Sequence, residues 1–354
     1  MQLRCVCKSW KTLISDSTFV KLHLQRSARN KHLALFSYKY QTPRHFSITP
    51  SPLCRLLENT SVTLDDDSGF HLNKGGLLYV VGSCNGLLCL VGCLYNDNYE
   101  ELGTLLYLWN PATRKLSKEI KFPPEKFQHK WKFAFGYDNS NNTCKIVAFH
   151  LLSTNDEVRV FTFGDNVWRN IQNFPDVLSY HHWDINHGVH VSGSLNWLAI
   201  RMESKFVIIS LNLSTESYRQ LLLPQGFDKP TLPKSTLAVL MDSLCFCHDF
   251  HGTDFIIWQM KEFGARESWI QFLKISYQSL LIDYNVISNS QRMFLFPLCL
   301  SENGGTLILA CDEYEQAILY NLSDNKVEKT RITNKIEWSL SKDYVESLVS
   351  TISK

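Results

Sequence analysis

The feature that most constrains the fold is a strand–turn–strand pattern that recurs along most of the chain. From about residue 31 onward, short runs rich in Val, Ile, Leu, Phe, Tyr and Trp are separated by Asn, Gly, Asp and Pro, as is typical of β-strands and their turns. Five polar turns are centred near residues 111, 165, 214, 263 and 324, with spacings of 54, 49, 49 and 61 residues. In the fourth unit, the apolar run from Leu237 to Cys247 is predicted as one strand.

A repeat of about 50 residues in an all-β chain predicts a β-propeller-like domain of about six blades. A further fragment at 33–38 and 45–48 fits half of the same unit. Residues 336–352 are predicted either to return as a strand that completes the first blade or to dock as a short helix. Radial closure would remove exposed sheet edges. The alternative fold is a two-sheet β-sandwich.

The first 24 residues follow a helical period instead. The apolar positions of the first helix share one face: Leu3, Val6, Cys7, Trp10, Leu13 and Ile14. Residues 15–18 supply capping side chains for a second helix, which carries Phe19, Val20, His23 and Leu24 on one side. Two such short helices are not stable alone, so we expect them to pack on another surface. The predicted domains are therefore a helical segment, 1–29, and a β domain, 30–354.

Composition argues against several classes of protein. The formal net charge is only +2, so we expect no nucleic-acid partner. No apolar run approaches 18 residues and no secretory signal is seen, so we expect neither a membrane span nor secretion. The 11 Cys are an odd number scattered without a disulfide pattern, which predicts reduced thiols in the cytoplasm or nucleus.

The motifs that would indicate catalysis or metal binding are weak. Cys245 and Cys247 fall on one strand face and His248 on the other, which favours buried thiols with His248 and His251 at the surface over a zinc site. The His-rich segment 181–190 and the acidic run 65–67 are predicted as loops. No phosphate-binding Gly-Lys loop and no nucleophile elbow are present. We therefore predict no catalytic residue, no metal and no cofactor.

Several segments resemble plant F-box proteins with a C-terminal F-box-associated domain, of the S-locus F-box-like and kelch-like type. At the N-terminus, segments 4–10, 13–16 and 19–24 keep the order and spacing of that family's Cys, Trp and His. The β region adds Trp-Asn-Pro-Ala-Thr-Arg at 109–114, with further matches at 82–89, 135–138, 158–161, 168–169 and 188–197. Each motif also has a structural explanation: Asn-Gly and Asn-Pro form turns, and Trp109, Trp168 and Trp197 are predicted to pack between blades.

The resemblance implies a non-catalytic substrate-recognition subunit of a Skp–cullin–F-box ubiquitin ligase. Its partners would be a Skp-type adaptor, through it a cullin, and a target protein. Because Met1 falls where the first half of an F-box should have ended, we expect only a partial adaptor surface, on the six apolar residues of the first helix. The predicted target-binding residues lie in inter-strand loops: Tyr95, Tyr99, Tyr180, His181, His182, Trp183 and Phe227. The alternative function is a propeller-type carbohydrate-binding or hydrolytic domain unrelated to ubiquitination.

Overall fold

The described residues of the chain are mainly β, with three short helices near the N-terminus. The computed structural model describes residues 7–28, 30–39, 45–58, 61–62, 64, 69–71, 77–95, 101–122, 131–150, 157–175, 177–179, 188–201, 205–225, 235–284, 295–311, 316–332 and 335–351. The helices are α1 (Lys8–Ser15), α2 (Ser17–Ser27) and α3 (Leu53–Glu58). In this part of the chain no helix is long and apolar enough to cross a membrane.

The strands before residue 130 are β1 (Lys31–Lys39), β2 (His45–Pro52), β3 (Ser61–Val62), β4 (Phe70–His71), β5 (Leu77–Cys84), β6 (Leu87–Tyr95), β7 (Glu101–Asn110), β8 (Lys115–Leu116) and β9 (Ile120–Lys121). Those of residues 130–330 are β10 (Lys132–Asp138), β11 (Thr143–His150), β12 (Glu157–Thr162), β13 (Trp168–Asn170), β14 (Val177–Ser179), β15 (Val189–Val191), β16 (Ser194–Arg201), β17 (Lys205–Asn212), β18 (Tyr218–Leu221), β19 (Ser235–Leu240), β20 (Ser243–Phe250), β21 (Asp254–Met260), β22 (Trp269–Ser276), β23 (Phe296–Leu300), β24 (Thr306–Ala310), β25 (Ile318–Asn321) and β26 (Val327–Lys329). The last are β27 (Arg331–Ile332) and β28 (Lys342–Val345).

The chain divides into two compact units, Met1–His129 with Ile332–Lys354, and Lys130–Arg331. The first unit contains a sheet of order β28-β1-β2-β4 and a sheet of order β5-β6-β7-β8, in which β9 also pairs with β7. β28 pairs antiparallel with β1, placing Tyr344 opposite His32. The first sheet therefore takes a strand from each end of the chain, which confirms the predicted returning strand and not the short helix.

A buried polar side chain ties the C-terminal segment to the first unit. Asn110, at the end of β7, is fully buried and donates from Nδ2 to the carbonyls of Ser347 (2.9 Å) and Val349 (2.8 Å). Its Oδ1 accepts from the backbone N–H of Thr113 at 3.1 Å and so closes the Asn-Pro turn. One turn-forming residue thus also satisfies two backbone carbonyls of a distant segment.

The second unit contains four sheets, each made of strands that follow one another in the chain. Their orders are β10-β11-β12-β13, β14-β16-β17-β18 with β15 also on β16, β19-β20-β21-β22, and β23-β24-β25-β26. Consecutive sheets share apolar clusters: one contains Phe149 and Trp197, a second Leu198 and Phe246, and a third Phe255 and Leu309. A strand packed on both faces reads as a continuous apolar run, which explains why these strands do not alternate cleanly.

Six separate sheets of this kind, two in the first unit and four in the second, are found among the described residues. This result rejects the two-sheet sandwich and confirms the predicted blade count. Trp109 and Trp197 are buried in apolar clusters that join neighbouring sheets, so their predicted packing role is confirmed. The Trp168 ring lies 5.4 Å from that of Phe161, which is opposite it in the same sheet, so packing between blades stays a prediction for Trp168. The predicted domain boundary after residue 29 stays a prediction.

The five predicted polar turns are present, and each joins the third and fourth strands of a sheet. Each contains at least one residue with positive φ: Arg114, Gly164 with Asn166, Glu216, Gly264 and Asn325. The predicted single strand from Leu237 to Cys247 is wrong. It is a hairpin of β19 and β20, whose two-residue turn places both Met241 (φ 49°) and Asp242 (φ 55°) in the left-handed region.

A buried ion pair joins the first two sheets of the second unit. Lys145 on β11 extends Nζ to Asp138 Oδ2 on β10 (3.0 Å) and to Glu216 Oε1 in the turn after β17 (3.0 Å). Asp138 is fully buried, and its Oδ1 also accepts from the Ser214 hydroxyl. Burial alone would raise the pKa of Asp138, but hydrogen bonds from Ser214, Asn141 and Lys145 hold it below its usual value. The exposed Arg169 pairs with Glu216 from outside.

Candidate functional site

The two N-terminal helices are separated by a capping residue. Asp16 lies between α1 and α2, and its Oδ1 accepts from the backbone N–H groups of Thr18 (3.0 Å) and Phe19 (2.9 Å). On α2, Phe19, Val20 and the other two residues of the predicted face are half-buried. The predicted cap and the predicted second helix are confirmed.

The apolar face of α1 is more open than its period predicts. Ile14 is buried, but Trp10 is 43% exposed, Leu13 is 48% exposed and Cys7 is exposed. The other two predicted adaptor-binding residues, Leu3 and Val6, lie outside the described residues. Helices of 8 and 11 residues are too short to cover one another fully, which explains why Trp10 and Leu13 remain exposed.

Each blade-type sheet has two dissimilar ends. At one end, called here the turn end, tight turns join strands one and two and strands three and four; examples are Asn85-Gly86 and Ser192-Gly193. At the other, called the loop end, lie the connections between strands two and three and those that lead to the next sheet, which range from 202–204 and 251–253 to 222–234. Because neighbouring strands are antiparallel, this division follows from strand order alone. The loop end is where the connections can vary in length and sequence without changing a sheet.

One predicted target-binding position, Tyr95, lies at a described loop end, in the first unit. Tyr95 is the last residue of β6, so its backbone lies at the loop end of its sheet. Phe227 belongs to the connection between β18 and β19 and lies outside the described residues, as does Tyr99. Their role in binding a target stays a prediction.

Two short strands, β14 and β15, pair with β16 in the second sheet of the second unit. β14 pairs with β16 at 199–201 and β15 pairs with β16 at 194–196, so both occupy the same edge of one strand. β14 and β15 together therefore occupy the position that a single first strand takes in the neighbouring sheets. The four predicted target-binding residues of the segment between β14 and β15 lie outside the described residues: Tyr180, His181, His182 and Trp183.

A buried carboxylate organises the loop end of the β19–β22 sheet. Asp249, at the end of β20, is 2% exposed and accepts through Oδ2 from the Gly252 N–H (3.1 Å) and the Tyr284 hydroxyl (3.2 Å). Burial, with the charge of Asp249, raises the pKa of Tyr284. Gly252 has φ +72°, and a Cβ there would lie 2.5 Å from the Tyr284 ring. Sequence reasoning missed this cluster, although Asp249 and Gly252 flank a turn.

Aromatic and charged side chains meet at the loop end of the β10–β13 sheet. The rings of Trp131 and His150 stack with centroids 5.4 Å apart, and the Arg159 guanidinium lies 5.0 Å from the centre of the Trp131 ring. Glu157 pairs with Arg159 at 2.7 Å. Strand pairing explains the cluster, because His150 is opposite Glu157 on neighbouring strands.

The described residues contain no group of three or more His, Cys, Asp and Glu that could hold a metal ion. Cys245 and Cys247 are fully buried, and burial raises the pKa of the Cys245 thiol to about 12, which disfavours the thiolate that binds zinc. His248 was expected at the surface but is only 3% exposed; its Nε2 accepts from Trp258 Nε1 at 3.3 Å. Burial of both strand faces explains this error. His251 is exposed, as predicted. The acidic run 65–67 lies outside the described residues.

Both the sequence and the fold of this chain are similar to those of known proteins. The sequence profile of the F-box associated beta propeller domain matches residues 60–351. The chain belongs to this family. The match confirms the predicted resemblance to plant F-box proteins and the predicted mainly β, six-bladed fold after short N-terminal helices.

Relatives of this F-box-associated chain include two proteins of Arabidopsis thaliana. An F-box/kelch-repeat protein is 26% identical over 284 residues, covering 77% of this chain and 74% of that protein. The F-box protein CPR1 is 22% identical over 360 residues, covering 94% and 80%. Among solved structures, TolB from Acinetobacter baumannii has a TM-score of 0.48 at 10% identity, covering 93% of this chain and 73% of that chain. That structural similarity is too low to support an argument about function.

Proposed function

We propose that this F-box-associated protein is a substrate-recognition subunit of a Skp–cullin–F-box ubiquitin ligase, acting in the cytoplasm or nucleus. In this role it is not an enzyme: it holds a target protein through loop ends of its β domain and holds a Skp-type adaptor through its N-terminal helices. Family membership and the F-box relatives support the general role. The observation that carries the adaptor contact is the exposed apolar surface of α1.

That surface is formed by Trp10 and Leu13, which lie three residues apart and therefore on one side of the helix. Exposed Trp and Leu side chains on one helix face are typical of protein-binding surfaces, and buried Trp side chains often dominate the affinity of an interface. Leu22 on α2, 59% exposed, adds a third apolar residue within the same helix pair.

The test is capture of the full chain by a purified Skp-type adaptor, measured by size-exclusion chromatography and calorimetry. The variant W10S/L13S removes both exposed apolar side chains of α1. A matched control, I270S/L281S, removes two exposed apolar side chains of the second unit, which are 42% and 65% exposed. We expect the first variant to lose at least about tenfold in adaptor affinity and the control to bind as the unchanged protein does.

Two results would contradict the proposal. One is the failure of the unchanged chain to form any complex with the adaptor. The other is equal binding by W10S/L13S and the unchanged chain, which would show that α1 does not contribute. Thermal unfolding of each variant confirms that a loss of binding is not a loss of fold.

A further inference from the structure

One outer strand of the second unit is much longer than the others. β22 has 8 residues, whereas the fourth strands of the other sheets, β8, β13, β18 and β26, have 2, 3, 4 and 3 residues. Within the part of the chain that the structure describes, β22 pairs with β21 alone. Among the described residues, its other side is therefore a long sheet edge. Short edge strands are a common protection against unwanted pairing; β22 lacks that one but carries a bulge and an exposed lysine, which also limit pairing.

Hydrogen bonds at both ends of β22 show which of its backbone groups face away from β21. Lys261 N–H donates to Ser268 O (3.1 Å) and Tyr277 N–H donates to Thr253 O (3.0 Å). Hydrogen-bonded pairs recur at every second residue of an antiparallel ladder. From the register of the two strands, the outward-facing backbone groups are those of Trp269, Gln271, Lys274 and Ser276.

A bulge divides this edge into two parts. The register between β21 and β22 shifts at Ile257/Trp258, which leaves Phe272 without an opposite residue. The part after the bulge, 273–276, runs toward the loop end of the sheet, where Asp249 fixes the neighbouring turn. Lys274 presents both its N–H and its C=O outward there, while Ser276 O accepts from Leu280 N–H at 3.2 Å.

The side chains of the edge favour an apolar segment that carries negative charge. Ile270 is 42% exposed, and Phe272 and Leu273 are half-buried. Between residues 269 and 282 the sole charged side chain is Lys274, and there is no carboxylate. Lys274 Nζ lies 3.4 Å from Asp254 Oδ2 and keeps 42% of its side chain exposed. A second copy pairing through β22 would bring two lysines and two bulges into one ribbon, which disfavours self-association.

We propose that β22 binds an extended segment of the target protein by β-strand addition, with an acidic residue of that segment beside Lys274. The backbone of Lys274 supplies hydrogen bonds, and the apolar side chains around the bulge receive alternate side chains of the segment. This inference rests on the proposed function, since it names the way in which that target is held.

The probe is a fluorescein-labelled peptide of about eight residues, with alternating Val and Thr and one central Asp. A second peptide of the same sequence carries N-methyl groups on alternate amides and cannot pair with an edge. We expect saturable binding of the first peptide in fluorescence polarisation. We expect at least about tenfold weaker binding of the second, because the backbone hydrogen bonds are lost.

Three variants locate the site. K274P removes an outward N–H and leaves the ladder to β21 intact, so it should weaken the peptide by about tenfold. K274Q keeps the N–H, so it should weaken the peptide by only about threefold, through the lost charge. The matched control is Q220P on β18: Asn212 N–H donates to Ser217 O, so Gln220 also faces outward on an edge, but on a strand of 4 residues. Q220P should bind as the unchanged protein does.

The inference is overturned if the unchanged protein shows no saturable binding up to about 1 mM peptide, or if K274P binds as well as the unchanged protein. If K274P does not fold, the comparison of the two peptides on the unchanged protein decides: equal binding refutes strand addition. The adaptor assay is independent of β22. Adaptor binding without peptide binding would refute only this inference, and peptide binding without adaptor binding would refute the proposed ligase role.

Discussion

Replacement of Lys145 by Met should strongly destabilise the second unit. Lys145 is 4% exposed, and its Nζ is shared between Asp138 and Glu216 at 3.0 Å each. The variant K145M keeps a side chain of similar length but leaves the fully buried Asp138 without its cation. Removing one partner of a buried pair typically lowers the free energy of unfolding by about 3–5 kcal/mol. We expect roughly 3 kcal/mol here, because Ser214 and Asn141 still donate hydrogen bonds to Asp138.

The assay is urea unfolding followed by Trp fluorescence at pH 7, with K326M as the matched control. Lys326 also pairs with a carboxylate, Glu328, but both side chains are largely exposed, 66% and 41%. Exposed pairs contribute little, so K326M should unfold at the same urea concentration as the unchanged protein. If K145M were as stable as K326M, the reasoning about the buried pair would be refuted.

The effect of K145M should also depend on pH in a defined direction. The pKa of Asp138 lies below its usual value in the folded protein, so its ionisation stabilises the fold above about pH 4. This contribution is lost as pH falls through the folded pKa, because Asp138 is then protonated in both states. The difference in unfolding free energy between the unchanged protein and K145M should therefore shrink when the measurement is moved from pH 7 to about pH 3.

Two further predictions concern packing. G86A should destabilise the first unit by about 3 kcal/mol, because Gly86 has φ +76° and a Cβ there would lie 2.1 Å from Ser347 Cβ. The control G103A, with nothing within 4 Å of its Cβ, should have no measurable effect on thermal unfolding. Equal unfolding midpoints for the two variants would contradict the close approach at Gly86. In native protein, iodoacetamide should modify the exposed Cys7 and Cys54 and spare Cys89, Cys245, Cys247 and Cys299, which are fully buried, whereas all 11 Cys should react in urea. Mass spectrometry of the labelled peptides tests this, and rapid labelling of Cys247 in native protein would contradict the packing of its strand.

Local signals in the sequence were sufficient for much of the fold. Asn110, Asn212 and Asn321 each accept a backbone hydrogen bond within their own turn, so the sequence itself marks where these turns lie. The spacing of the turns then predicted the repeated sheets. The cap of α2 was predictable for the same reason, since Asp16 acts on residues two and three positions away. Such contacts depend on neighbours in the chain, which a single sequence displays.

The errors arose where tertiary packing decides. The Met241-Asp242 turn has no Gly or Asn, so its two left-handed residues gave no turn signal. His248 is a polar residue on a strand that packs on both faces, and nothing in its own neighbourhood indicated the Trp258 partner. The exposure of Trp10 and Leu13 also could not be predicted, because helical period shows which side chains share a face and not whether that face is covered.

The two ends of the sheets are constrained in different ways, and this difference is the reason why the proposed function assigns target binding to the loop ends. At the turn end, Asn110, Gly86 and Lys145 each make contacts that a substitution would break, so a change there costs stability. At the loop end of the β19–β22 sheet, the single buried Asp249 holds the adjoining turn and Tyr284 in place. Residues beyond such an anchor are free to change without loss of the fold. Under the proposed function, we therefore expect residues of the loop ends, more than those of the turn ends, to differ between proteins of this fold that bind different targets.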